Sequence, residues 1–117
     1  MGNKTSQYLI LGASGHIGRA IYQSALDHGI STTGTRLTHE IADLTELDIT
    51  EREAVSATVK KVSPEIVFLC AGLTDVEKCE RWHHKSFDIN VNGVRNVVDA
   101  ANRVGARVVY ISSALVF

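Results

Sequence analysis

Among 117 residues the sequence has one proline, one tryptophan and two cysteines, and it has no excess of charge of either sign. The lone Pro64 leaves no room for a proline-rich linker, and two cysteines are too few for a disulfide scaffold. Cys70 and Cys79 are therefore expected as free thiols. The 12 basic side chains are matched by 13 acidic ones, which excludes the basic footprint of a nucleic-acid or anionic-membrane binder. No apolar run approaches the roughly 20 residues needed to span a bilayer. The polar start MGNKTSQ lacks the apolar stretch of a signal peptide, so a cytoplasmic protein is expected. Repeats, low-complexity segments and linkers are missing too, and residues 1–117 are read as one domain.

What is present is an alternation of strand-like and helix-like runs. YLILG, ISTTGTRL, PEIVFLCAG and RVVYISS are continuously apolar or β-branched. GRAIYQSALDHG, TEREAVSATVKKV and a long stretch from about His84 to Val104 have helical character. Apolar strands alternating with helices predict an α/β fold with a parallel sheet covered on both faces. In the long helix Phe87, Val91, Val94, Val98 and Ala101 recur at three- and four-residue steps, which predicts the face that packs on the sheet. Thr50 ahead of Glu51 and Glu53 predicts a capped helix start whose acids suit the positive end of the dipole.

The stretch LGASGHIGRA sets Gly12, Gly15 and Gly18 between the first strand and the first helix. In that context the glycines serve a tight turn, a close approach of backbone to a pyrophosphate, and close helix-on-strand packing. The amides at the start of the helix then face the phosphates. Gly12, Ser14, Gly15, His16, Ile17 and Gly18 are thus expected to bind a dinucleotide, His16 through its backbone position rather than its ring. The second strand should end with the group that reads the adenosine ribose, and there the chain has Thr35 and Arg36. A guanidinium suits a 2′-phosphate through paired, charge-assisted hydrogen bonds. NADP is expected over NAD, with Glu40 near enough to leave NAD open. Cys79, His83 and His84 lack a fourth ligand for a structural zinc. Ser112 and Ser113 lack the G-x-S-x-G surroundings of a hydrolase nucleophile, so no metal is expected and neither serine is read as a hydrolase nucleophile.

The runs ELDITEREAV, PEIVFLCAGLTDVEKCE and DINVNGVRNVVDAANRVGARVVYISSALVF resemble the extended short-chain dehydrogenase/reductases. They are most similar to the dTDP-4-dehydrorhamnose reductase branch and its epimerase-dehydratase, sugar-nucleotide-binding relatives, over nearly all of residues 8–117. The resemblance implies Asp48 and Ile49 beside the adenine. It implies Cys70, Ala71, Gly72 and also Thr74 under the ribose and nicotinamide, and TDVEKCE near the substrate side. It places Ser113 at the hydroxyl position of the catalytic triad. The family's tyrosine and lysine, spaced YxxxK, have no counterpart, since none of Tyr8, Tyr22 and Tyr110 is followed by lysine four residues on. Ala114 and Leu115 stand where the branch has an acidic and an aromatic residue, which implies a different substrate.

The expected fold is a three-layer Rossmann-type sheet of strand order 3-2-1-4-5, since right-handed crossovers and a switch between the first and fourth strands require it. With the chain ending after the fifth strand, the expected protein is the cofactor-binding half of an NADP-dependent sugar-nucleotide oxidoreductase, inactive alone. A stand-alone, non-catalytic dinucleotide-binding or regulatory module is the alternative. The uncharged, proline-free run VVYISSALVF predicts a strand edge open to pairing with a second copy, and hence a homodimer.

Overall fold

A computed structural model describes residues 6–13, 16–36, 44–70 and 88–111. Five strands form a single sheet: β1 (Tyr8–Leu11), β2 (Thr32–Arg36), β3 (Leu44–Glu46), β4 (Ile66–Leu69) and β5 (Arg107–Tyr110). All four pairings are parallel and the order is β3-β2-β1-β4-β5, as the sequence predicts. Among the described residues three α-helices alternate with the strands: α1 (His16–Asp27), α2 (Arg52–Val62) and α3 (Val94–Val104). Because every strand runs the same way, the C-terminal ends of β1, β2, β3 and β4 lie along one edge of the sheet, with the reversal of strand order between β1 and β4.

The period-two alternation of each strand divides its side chains between two faces. One face carries Leu9, Leu11, Val67 and Leu69, which pack with Val55, Val59 and Val62 of α2 and Val97, Ala100 and Ala101 of α3 into the main core. Burying each valine or leucine of this cluster contributes about 1.5–3 kcal/mol. Helix α1 covers β1 and β2 on the opposite face, where Tyr8 of β1 and Phe68 of β4 meet edge to face with ring centroids 5.1 Å apart. Among the described residues no helix is long and apolar enough to cross a membrane.

Helix α2 ends at Ser63 in a left-handed conformation (φ 46°), its amide bonding back to the Val59 carbonyl. Pro64 follows and cannot continue the helix. Helix α3 ends at Gly105 (φ 70°), whose amide reaches the carbonyls of Ala101 and Asn102.

Two details depart from the sequence reading. Helix α2 starts one residue later than Thr50 predicts: Glu51 is its N-cap and makes no side-chain cap bond. The Thr50 hydroxyl instead donates to Asp48 Oδ1 at 2.7 Å, so the capping power of Thr50 is spent on the turn before the helix. The predicted long helix is, in its described part, a π-helical turn at Asp88–Gly93 followed by α3. A π-turn shifts the angular phase of the helix beyond it. Val91 is accordingly 38% exposed; of the predicted face Ala101 is buried and Val94 is partly buried against the core, while the fully buried stripe runs through Val97, Ala100 and Ala101, and Phe87 lies outside the described residues.

Candidate dinucleotide site

The strand-to-helix turn after β1 is held from below by β2. Gly12 takes a left-handed conformation (φ 86°), and its amide donates to Thr35 Oγ1 at 3.3 Å. The next amide, on Ala13, donates to the Thr35 carbonyl at 2.8 Å. Thr35 is 1% exposed, so the residue expected at the ribose holds the loop from beneath. Helix α1 then begins at His16 with no acid in its first turn, which leaves the positive end of its dipole uncompensated for an anion. His16 and Ile17 are exposed there, while Gly18 is buried. A Cβ on Gly18 would collide with the Gly12 carbonyl and lie 3.1 Å from Ala13 Cα. The third glycine therefore has the predicted packing role, letting α1 sit directly on the loop.

Arg36 closes β2, its carbonyl accepting from Leu47 N at 2.8 Å. Its Nε is buried and has no hydrogen-bond partner among the described residues. A buried guanidinium N–H without an acceptor costs about 1–3 kcal/mol or more, and such a donor commonly awaits a ligand or ion. A 2′-phosphate would offer the acceptor that this N–H lacks, so the Arg36 position fits NADP.

The segment after β3 is a tight turn. Asp48 Oδ1 accepts from the Thr50 amide at 2.9 Å and from the Thr50 hydroxyl, and Glu51 N closes the turn on the Asp48 carbonyl at 3.0 Å. Ile49 is 4% exposed and belongs to the main core. Asp48 is half-buried and the Ile49 side chain lies beneath the turn, so of the two side chains only that of Asp48 offers polar atoms, and Ile49 could meet a ligand only through its backbone.

Cys70 continues β4, its amide bonded to the Leu11 carbonyl at 2.9 Å. Burial pushes its thiol up to about 11. A thiol in that range is neutral near pH 7 and a poor nucleophile, which fits a packing surface and not a reactive centre. Gly12, His16, Gly18, Arg36, Asp48 and Cys70 thus meet at the edge where the parallel strands end. Ser14, Gly15, Ala71, Gly72, Thr74 and Ser113 lie outside the described residues, as do Cys79, His83 and His84. Among the described residues no group of three or more His, Cys, Asp or Glu side chains forms a metal cluster.

One residue at this edge carries no motif signal. Asn96 of α3 donates from Nδ2 to the Ile49 carbonyl at 2.9 Å. Its trace in the sequence is no more than an amide side chain flanking the apolar stripe of α3.

Known proteins are similar to this chain in sequence and fold. The dTDP-4-dehydrorhamnose reductase of Aggregatibacter actinomycetemcomitans is 29% identical over 96% of this chain and 36% of its own length. Methionine adenosyltransferase 2 subunit beta of Mus musculus is 28% identical over 93% of the chain and 33% of its own length. The chain thus spans about a third of the curated relatives it matches. Among solved structures, a hypothetical dTDP-4-dehydrorhamnose reductase from Sulfolobus tokodaii superposes with a TM-score of 0.83 at 30% identity, over 91% of this chain and 38% of that one. The dTDP-4-dehydrorhamnose reductase of Bacillus anthracis, solved in complex with NADP, gives 0.78 at 30% identity, over 92% and 36%. Residues 6–117 match the RmlD substrate-binding domain, and with the parallel sheet, the glycine turn and these relatives the chain belongs to that family.

Proposed function

We propose that residues 1–117 form an NADP(H)-binding domain, the N-terminal part of a dTDP-4-dehydrorhamnose reductase-like sugar-nucleotide oxidoreductase, and that this part is inactive alone. The observation that carries the reading is the buried Nε of Arg36 beside the glycine turn, unpartnered among the described residues. The NADP complex of the Bacillus anthracis relative supports it. In this reading the turn from Gly12 to Gly18, with Ser14, Gly15, His16 and Ile17, takes the pyrophosphate on backbone amides. Arg36 takes the 2′-phosphate, Asp48 the adenine side, and Cys70, Ala71 and Gly72 the ribose and nicotinamide side. The bound cofactor supplies a hydride. Ser113 would orient a ketone, here of a nucleotide-sugar in a longer form of the protein. A cytoplasmic setting accords with the free thiol of Cys70.

Ketone reduction also requires a proton for the developing alkoxide. A positioned general acid contributes roughly 10²- to 10⁴-fold, and no tyrosine here has the lysine four residues on that the family uses. The purified chain is therefore expected to give no measurable turnover of NADPH with dTDP-4-dehydrorhamnose. Turnover that persists through purification to homogeneity and through Ser113→Ala would contradict this reading. The likeness to a protein named as the beta subunit of another enzyme favours, as a second reading, a non-catalytic dinucleotide-binding or regulatory module. That reading expects the same cofactor binding and no turnover in the full-length protein either.

Self-association belongs to the same proposal. Among the described residues β5 pairs only with β4, and Tyr110 at that edge is 52% exposed. Such an edge is a template for a second strand, and two-fold pairing would bury the same patch on both copies. Light scattering at micromolar concentration is expected to report a dimer. A clean monomer, unchanged when Val116 and Phe117 are replaced by lysine, would remove the idea.

A further inference from the structure

The geometry points to Asn96 as a positioning residue for the adenine end of the cofactor, acting through a single peptide plane on the carboxylate of Asp48. This inference rests on the reading of Asp48 given above. Asn96 Nδ2 donates to the Ile49 carbonyl at 2.9 Å, across 47 residues of sequence. The amide of that same peptide unit belongs to Thr50, and it donates to Asp48 Oδ1 at 2.9 Å. A peptide unit is planar and rigid, so fixing its C=O fixes the direction of its N–H. Accepting a bond at the oxygen also polarises the unit and strengthens the bond its N–H donates. Helix α3 therefore constrains where the Asp48 carboxylate points through one peptide plane.

The same peptide is gripped a second time. Gly93, three residues before Asn96, lies against the Ile49 side chain so closely that a Cβ there would come within 2.6 Å of Ile49 Cδ1 and 2.7 Å of Cγ1. Residues three apart share a helix face. One face at the start of α3 thus receives the Ile49 side chain in the notch left by Gly93 and its carbonyl on Asn96. Both bonds from Thr50 fall on Oδ1, which turns Oδ2 into the acceptor presented to a ligand. An ionised carboxylate is acceptor-only, and the exocyclic amine of adenine is a donor.

The test uses the whole 117-residue chain with adenosine 2′,5′-bisphosphate, the adenine half of NADP, as the titrated probe. Asn96→Ala and the isosteric Asn96→Asp, which offers no donor when ionised, are expected to weaken binding about five- to tenfold, the size of one hydrogen bond. In the Asp48→Ala background the Asn96 substitution is expected to have no further effect, because its route to the ligand is gone. Without ligand, amide exchange at Thr50 and Glu51 is expected to quicken in both Asn96 variants. Additive losses in the double variant would overturn the inference, as would unchanged exchange at Thr50. If Asp48→Ala weakens binding and the Asn96 variants do not, this inference alone falls. If Asp48→Ala has no effect, the adenine reading falls and takes the inference with it.

Discussion

Alanine at Gly18 is expected to cost the chain most of its affinity for NADPH while leaving it folded. The added methyl would meet the Gly12 carbonyl oxygen and lie 2.9 Å from Gly12 C and 3.1 Å from Ala13 Cα. These are backbone atoms, so no rotamer change relieves the contact. Either α1 lifts away from the turn, or the turn shifts against Thr35, which holds it through Gly12 N and Ala13 N. Overpacking of this kind costs about 1–3 kcal/mol. Carried into binding through displaced phosphate-facing amides, it corresponds to roughly a 5- to 150-fold loss of affinity. Calorimetric titration with NADPH, alongside circular dichroism to confirm the fold, checks it. A Gly18→Ala chain that binds as tightly as the parent would mean that the glycine turn is only a turn.

Replacing Arg36 by alanine is expected to separate the two dinucleotides. Hydrogen bonds to charged groups contribute about 1.5–3 kcal/mol, so NADPH binding should weaken by roughly 10- to 150-fold while NADH binding barely changes. The same substitution has a second expected signature. In the free protein the buried Nε has no partner among the described residues, so its removal deletes a desolvation cost and no hydrogen bond of that atom. The melting temperature of the free Arg36→Ala chain is expected to equal or exceed that of the parent. Loss of stability together with an unchanged ratio of affinities would make Arg36 a packing residue of β2.

The parts legible in sequence are those where the backbone itself demands a residue type. Gly12 sits at φ 86° and Gly18 where a Cβ has no room, so both leave a pattern. The central strands are legible because burial on both faces makes them continuously apolar. β3 is a different case: Leu44–Glu46 is three residues long, with Thr45 and Glu46 exposed, and its place beside β2 is a matter of pairing rather than composition. The phase of α3 is hidden by the π-turn at Asp88–Gly93, since periodicity assumes an unbroken helix. The turn at Asp48 is hidden because side chain to backbone bonds two residues apart compete with helix capping for the same threonine. Asn96 is beyond reach altogether, because a hydrogen bond to a distant carbonyl leaves neither spacing nor periodicity to read.

The central claim is that the edge formed by the glycine turn, Arg36 and Asp48 is an NADP site. Parallel calorimetric titration of the unmodified chain with NADPH and NADH tests it most directly. Binding of NADPH at least about tenfold tighter than NADH, the minimum expected from one charge-assisted contact to the 2′-phosphate, is the predicted result. Equal affinities, a preference for NADH, or no binding of either would contradict the account.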